Sequence, residues 1–379
     1  MVDLADPGAP PGWRALRLVM VCLVAVLLLA QFAFGREEGL GGFQPTEGVK
    51  TLIALFLAYA GQRLWARRAG LSQAHSDRPW RSTLELTGLA LALLLLAAML
   101  LWAVRDMSPA LLLLLLALPV LWHLAPHPLK ELEDVPDMSP ARLLLRQSWL
   151  VLTRRAPRPL SLHNRRAGWL QAGVGTLVLT GAGLLAWVHA TPDNLPRWTP
   201  QYARLMAWAA PARFAESGHQ VNAALARAAD GRRLGPVGGP GGWNGAIMDL
   251  PVVQNDFIGA FVLNRFGAAG GSGVLLLQLL FVGALLTQSR AAADWGRIGV
   301  SDTPQQWAGQ FLSLSLFALA WLFLAHGLIA WGNVLGLLPV MGQPMTWIAA
   351  GNSHLLLFAL PVLLLGLVTG WITQEPRAD

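Results

Sequence analysis

The sequence predicts an all-α polytopic membrane protein with about eight transmembrane helices, a re-entrant or broken segment, and a long outer loop. Three observations support this fold class. Hydrophobic residues make up 54% of the 379 residues and charged residues only 13%, with a mean hydropathy of +0.48. Several apolar runs approach twenty residues, the length at which a helix crosses a bilayer. Arginines gather between some of these runs, which is typical of cytoplasmic loops.

The same composition excludes two classes of function. The single cysteine, Cys22, lies inside an apolar run, so the chain has neither a disulfide framework nor a cysteine metal site. The formal charge of +7 is spread over loops rather than a soluble basic domain, so nucleic acid binding is not expected. Residues 1–379 are therefore treated as one integral membrane domain embedded in the lipid bilayer.

The first half of the chain is predicted to hold five spans. A cytoplasmic tail over 1–13 precedes a first span over 13–34, which we prefer to a signal peptide because no clear A-x-A cleavage site follows it. The next four spans are predicted at 51–65, 86–104, 111–124 and 168–189. Between the last two lies a basic loop, 125–167, whose charge places it in the cytoplasm.

The second half begins with a large outer loop, 190–270, which is too long for the charge rule to apply to its arginines. Within it, residues 257–266 are predicted to re-enter or skim the membrane, because ten apolar residues cannot span it. The remaining spans are predicted at 274–287, 311–332 and 355–371, with both chain ends in the cytoplasm. Glycine and proline break the stretch 333–354, which indicates irregular backbone beside a protein-lined or wet cavity.

One carboxylate stands where the outer loop meets the membrane. Asp256 lies just before an apolar run, where an unpaired charge is costly. It has two interpretations: a cap for the helix that begins near Phe257, or an active carboxylate.

A second polar group precedes the span at 51–65. Pro45, Thr46 and Glu47 are typical of a helix start, with Thr46 as the cap. Lys50 is one of two lysines in the chain, and its spacing from Glu47 places both on one helix face near the outer surface. The simpler interpretation is a capped membrane helix.

Other polar residues are weaker candidates. Asp106 precedes Pro109 in a tight outer turn, where it is either a helix cap or a site residue. Arg232 and Arg233 lie in a glycine- and proline-rich loop, which is flexible by default but places two cations where an anionic lipid would meet them. His326 lies inside a span, where a lone histidine is more often a hydrogen-bonded packing residue than a proton relay.

Four short motifs in this chain resemble those of the SEDS family, the FtsW/RodA/SpoVE polymerases of bacterial cell-wall glycan. They are the stretch QPTEGVK at 44–50, the turn DMSPA at 106–110, the pair SGHQ at 217–220 and LPVVQNDF at 250–257, and the stretch GLLPVMGQP at 336–344 followed by Gly351 and Ser353. The chain departs from the family pattern in three respects. It lacks the first two of ten spans, it has NRFG at 264–267 in place of EELG, and it has AAGNSH at 349–354 in place of SYGGSS.

The resemblance implies a peptidoglycan glycosyltransferase that polymerises lipid II at the outer face of the bacterial cytoplasmic membrane, in cell division or cell-shape maintenance. Asp256 then corresponds to the catalytic residue. Glu47, Lys50, Gln220, Asp106 and Ser353 match motif positions and are expected to bind the undecaprenyl-pyrophosphate-linked substrate, together with Arg232 and Arg233.

The resemblance leaves the cofactor and the precise role open. A divalent cation, Mg²⁺ or Mn²⁺, is a second source of positive charge for the pyrophosphate. The implied partner is a class B penicillin-binding protein, a transpeptidase. Two alternatives remain: a catalytically degenerate SEDS-like scaffold for a wall-synthesis complex, and a transporter of lipid-linked precursor.

Overall fold

A computed structural model of the chain describes residues 11–34, 44–68, 88, 92, 107–124, 176, 179–199, 201–213, 217–238, 256–297 and 304–374. The prediction of an all-α chain is confirmed for these residues, among which no strand occurs. The helices are α1 (Pro11–Phe34), α2 (Pro45–Arg68), α3 (Met107–Leu124), α4 (Leu179–Ala190), α5 (Tyr202–Ala209), α6 (Ser217–Asp230), α7 (Gly235–Gly238), α8 (Ile258–Arg297), α9 (Pro304–Val334) and α10 (Asn352–Gln374).

Length and composition identify the membrane-crossing helices. In the described part of the chain, α8, α9 and α10 are each long and apolar enough to cross a membrane, while α1, α3 and α4 contain shorter apolar stretches. These helices support the membrane prediction, but the count of eight spans is not confirmed. Apart from residues 88 and 92, the predicted span 86–104 lies outside the described residues, as does the basic loop 125–167.

Helix α9 is the central helix of the bundle. In its most apolar stretch 61% of the residues are buried, against 22% for α8 and for α10. It packs against α2, α3, α8 and α10, and the contacts include the fully buried side chains of Leu57, Leu116, Leu319, Phe323 and Phe358. An element that is apolar on all sides is stable when other helices surround it. The buried polar residues of α9, His326 among them, are therefore held away from the surface of the bundle.

Helix α8 consists of two helical parts. Residues 258–266 form the first part, the predicted span 274–287 lies in the second, and Gly267, with non-helical φ 65 and ψ −170, separates them at a kink. The short apolar segment is therefore distinct from the span that follows it, and its re-entry into the membrane stays a prediction.

The kink is stabilised by the turn at 231–234, which follows α6. A break in a helix leaves backbone amides without intrahelical acceptors. Here the amides of Ala268 and Ala269 donate to the carbonyls of Arg232 and Arg233, each at 2.9 Å. A Cβ on Gly267 would lie 2.5 Å from the backbone of Arg233, so only glycine permits this approach.

Gly267→Ala is therefore expected to destabilise the protein markedly. A positive φ with ψ near 180° is a region that essentially only glycine occupies and costs an alanine about 1–3 kcal/mol, and the methyl group would also displace the docked backbone. The control is Gly273→Ala in the same helix, where an added Cβ meets nothing within 4 Å. Thermal unfolding in detergent micelles should show a lower midpoint for Gly267→Ala only. Equal midpoints for the two variants would contradict this account of the kink.

The predicted break after 332 is confirmed as an irregular segment over 335–351. It begins where Gly336, with φ +68, ends α9: the amides of Gly336 and Leu337 donate back to the carbonyls of Asn333 and Gly332. This pattern is a glycine C-cap. The indole of Trp208 on α5 donates to the Gly336 carbonyl at 2.8 Å. Helix α5 is thus anchored to the irregular segment.

Candidate active site

The centre of the site is a buried ion pair in the first turn of α2. The Lys50 ammonium donates to the Glu47 carboxylate at 2.7 Å, and both side chains are almost fully buried. The helix begins at Pro45, because the fixed φ of proline suits the first position of a helix. The carbonyl of Gln44 accepts the Glu47 amide, so Thr46 lies within the first turn rather than at the predicted cap position.

All three protons of the Lys50 ammonium are committed within the protein. Besides the bond to Glu47, Nζ lies 3.1 Å from His326 Nε2 and donates to Gln343 Oε1 at 3.0 Å. An ammonium has three donors and no acceptor. Lys50 therefore bonds to α2, to α9 and to the irregular segment, and has no donor left for a substrate.

The second oxygen of Glu47 faces another imidazole. Oε2 lies 2.8 Å from His354 Nδ1, and His354 Nε2 lies 2.8 Å from Thr346 Oγ1. The His326 and His354 rings are 4.8 Å apart between centroids, and Phe358 packs against both. We name the six polar residues Glu47, Lys50, His326, Gln343, Thr346 and His354 the buried clamp.

Ser353 lies beside the buried clamp and has a structural contact of its own. Its hydroxyl accepts the backbone amide of Gln44 at 2.8 Å, just before α2 begins. This bond satisfies one of the donors that a helix start leaves open. It fixes the beginning of α2, and hence the ion pair, to the start of α10.

Asp256 lies at the edge of the buried clamp. It is half-buried, in the turn before α8. A Cβ built on Gly342 would lie 3.8 Å from its Oδ2, so the carboxylate faces the backbone next to Gln343. The carbonyl of Phe257 accepts the amides of Ala260 and Phe261. Phe257 therefore occupies the cap position of α8, and Asp256 precedes it.

Gln220 lies on α6, which packs along the first turns of α8 and runs in the same direction. The Asn264 amide donates to the carbonyl of Arg227, and Ala224 packs with Phe257. Gln220 is one turn before Ala224, and it therefore lies at the end of α6 that is near the start of α8. Its side chain is half-buried.

The two arginines of the outer turn lie elsewhere. Arg232 and Arg233 are exposed and dock at the Gly267 kink. Residues 257–266 separate that kink from Asp256, a distance of roughly 16 Å at the helical rise. The structure therefore does not bring these guanidinium groups beside Asp256. Asp106 lies outside the described residues.

The buried clamp also contains three potential metal ligands. Glu47, His326 and His354 offer donor atoms within 4.8 Å of one another. However, the Lys50 ammonium lies 2.7 and 3.1 Å from two of them and takes the charge-balancing position. Mg²⁺ and Mn²⁺ also prefer oxygen ligands, and two of the three donors are imidazoles. These residues do not fit the divalent cation expected from the sequence.

Sequence reasoning did not assign a role to four members of the buried clamp. His354 was visible only as an addition to a motif, and His326 only as a polar residue inside a span. Gln343 and Thr346 carried no signal, because a lone amide or hydroxyl in a broken segment is ordinary. Their contacts depend on packing between elements far apart in the sequence.

Comparisons with known proteins were made on the whole chain. The model of the cell cycle protein family FTSW_RODA_SPOVE matches residues 167–370, which is more than half of the chain. This match includes Asp256 and the histidines but not Glu47 and Lys50. No curated protein matches the chain. A solved chain, from a study of how a peptidoglycan synthase complex coordinates polymerization and crosslinking, is 20% identical, with a TM-score of 0.36. The match covers 94% of this chain and 98% of that one.

Proposed function

Because the chain belongs to the FtsW/RodA/SpoVE family of cell cycle proteins, we propose that it polymerises lipid II at the outer face of the bacterial cytoplasmic membrane. Family membership supports a role in peptidoglycan synthesis, and the apolar helices make the chain a membrane protein. The proposed substrate is a disaccharide-peptide linked to undecaprenyl pyrophosphate. The proposed orientation has both chain ends in the cytoplasm.

The proposed reaction is a glycosyl transfer between two lipid-linked units. The 4-hydroxyl oxygen of one sugar forms a bond to the anomeric carbon of the other. The bond from that carbon to the pyrophosphate oxygen breaks, and lipid pyrophosphate leaves with the electron pair. The hydroxyl proton passes to a base. The step needs a carboxylate near the hydroxyl and positive charge near the leaving group.

Asp256 is the proposed base. The single observation that carries this assignment is the placement of its carboxylate against Gly342. Gly342 is bonded to Gln343, which Lys50 holds from within the protein. Asp256 is half-buried and precedes the cap position of α8.

Lys50 and Glu47 have a different role in this proposal. Because the three donors of Lys50 are already used, the pair holds the irregular segment in place and does not contact the pyrophosphate. Ser353 supports the same arrangement by fixing the start of α2. Arg232 and Arg233 lie apart from Asp256, so in this proposal they meet a part of the anionic substrate away from the reacting atoms, with Asp106 and Gln220 on the sugar side. The buried clamp is not the binding site of the proposed Mg²⁺ or Mn²⁺ ion.

The test is polymerisation of purified lipid II in proteoliposomes, with and without a class B penicillin-binding protein as the proposed partner. We expect glycan chains in at least one of the two conditions. Polymerisation in neither condition, where a ten-span relative is active, would favour the scaffold. Movement of labelled lipid II between leaflets without polymerisation would favour the transporter.

A further inference from the structure

Two buried imidazoles surround the Glu47–Lys50 pair, and the proposed reaction does not use them directly. His326 is fully buried and His354 is 3% exposed. Building on the proposed function, we propose that both histidines are positioning residues. They hold the ion pair, and the irregular segment bonded to it, in the geometry that polymerisation requires.

The contacts of His326 determine which nitrogen carries its proton. Nδ1 lies 2.9 Å from the carbonyl of Leu322, which can only accept, so Nδ1 is the donor. Nε2 is then an acceptor, and it faces the Lys50 ammonium at 3.1 Å. A second proton on Nε2 would point at a cation. His326 therefore acts as a neutral acceptor that keeps one Lys50 proton bound.

The contacts of His354 determine the role of one of its nitrogens. Nδ1 lies 2.8 Å from the Glu47 carboxylate, which is an acceptor when paired with Lys50, so Nδ1 donates. Nε2 lies 2.8 Å from the Thr346 hydroxyl, which can donate or accept. Among the described residues, the charged group in contact with His354 is Glu47, and His326 is its titratable neighbour. In our proposal both imidazoles are neutral, and Nε2 of His354 accepts from Thr346.

A continuous set of contacts connects these imidazoles to the reacting carboxylate. Lys50 bonds to His326 and to Gln343, so loss of the His326 acceptor leaves one ammonium proton unmatched in the core. Movement of Lys50 to satisfy that proton shifts Gln343. Gly342, the next residue, faces the Asp256 carboxylate. Loss of the His326 acceptor on α9 therefore displaces the backbone beside Asp256, the proposed base.

Asparagine and glutamine place their amide groups at different distances from the backbone. Substituting each in turn therefore tests for a specific hydrogen bond, and an effect of side-chain volume would give a different result. The amide of asparagine lies at the distance of a histidine Nδ1, while the amide of glutamine reaches the distance of Nε2. Asparagine at 354 therefore keeps a donor for Glu47, and glutamine at 326 keeps an acceptor for Lys50. The opposite choice at each position loses that bond.

The experiment measures kcat and KM for lipid II polymerisation by four variants in proteoliposomes. We expect His354→Asn and His326→Gln to retain kcat within about threefold. We expect His354→Gln and His326→Asn to lose about tenfold or more, as for the loss of one hydrogen bond to a charged group, with little change in KM. The control is His189, an exposed histidine on α4, where Asn and Gln should both leave kcat unchanged.

The tolerated substitution is asparagine at 354 but glutamine at 326. This reversal, the crossed order of the variants, distinguishes a positioning role from a packing role. If Asn and Gln rank in the same order at both positions, side-chain size decides and the inference is wrong. The expected spectroscopic signature is ¹⁵N NMR of histidine-labelled protein in micelles, with two neutral imidazoles protonated at Nδ1 that disappear in the His326 and His354 variants. Charged rings, or protonation at Nε2, would also overturn it.

Failure of the proposed function gives a different result. If the unsubstituted protein forms no glycan, the polymerase proposal fails. Thermal unfolding of the four variants needs no substrate. Their unfolding midpoints should show the same crossed order, with higher values for His354→Asn and His326→Gln. An uncrossed order in the midpoints overturns the inference by itself.

Discussion

Asp256→Asn is expected to reduce lipid II polymerisation by at least roughly a hundredfold while the protein stays folded. Asparagine keeps the shape of the side chain and most of its hydrogen-bonding capacity, but it cannot take the hydroxyl proton. It also serves as a helix cap about as well as aspartate. If Asp256 served only to begin α8, the substitution would therefore leave both activity and stability intact.

The matched control is Asp294→Asn on the same helix. Asp294 is exposed and pairs with Arg297 at 3.4 Å, an arrangement that contributes little to stability. Polymerisation by this variant should equal that of the unsubstituted protein. Near-normal polymerisation by Asp256→Asn in the same assay would end the catalytic assignment. Size-exclusion profiles in detergent would establish that both variants are folded.

Lys50→Met is expected to destabilise the protein by about 3–5 kcal/mol, because it leaves the buried Glu47 carboxylate without its cation. Methionine fills a similar volume, so loss of packing is a minor part of the effect. The comparison is Arg297→Met, which breaks a pair with the same i, i+3 spacing on the surface. Chemical or thermal unfolding in micelles should show a large loss for the first variant and none for the second.

The double variant Glu47→Gln with Lys50→Met separates charge from shape. Removing both charges should recover part of the stability that Lys50→Met loses, since no uncompensated charge remains in the core. Polymerisation should stay low, because Gln343 has lost its donor in either case. Additive losses from the two substitutions would show that the ion pair is not coupled as its geometry requires.

The relation between Glu47 and Lys50 was accessible from the sequence because it is local. A spacing of three residues in a helix brings two side chains together whatever the rest of the fold does. The start of α2 was accessible for the same reason, although Pro45 rather than Thr46 begins it. The break between α9 and α10 followed from glycine and proline in an otherwise apolar region.

The remainder of the buried clamp was not accessible in this way. The contact between Lys50 and His326 joins residues 276 apart, and that between Glu47 and His354 joins residues 307 apart. Such contacts depend on how α2, α9 and α10 pack, and a single sequence carries no signal for that packing. An isolated histidine looks the same whether it fills space or bonds to an ammonium.

Helix α8 illustrates a different limit. Hydropathy shows that residues 257–266 are too few to span a membrane, but it does not show how they join the span that follows. The two parts join at Gly267, whose conformation depends on the backbone of Arg233 from another part of the chain. A local pattern cannot report a bend that a distant turn stabilises.

The docking of the outer turn on the kink also has a mechanical consequence. The bonds from Ala268 and Ala269 to the turn at 232–233 join α6 to the long membrane part of α8, with Gly267 as the pivot. The Asn264 bond to Arg227 joins the two on the other side of that pivot. Because α6 and the turn that follows it are bonded to α8 on both sides of Gly267, the bend angle of α8 and the position of α6 depend on each other.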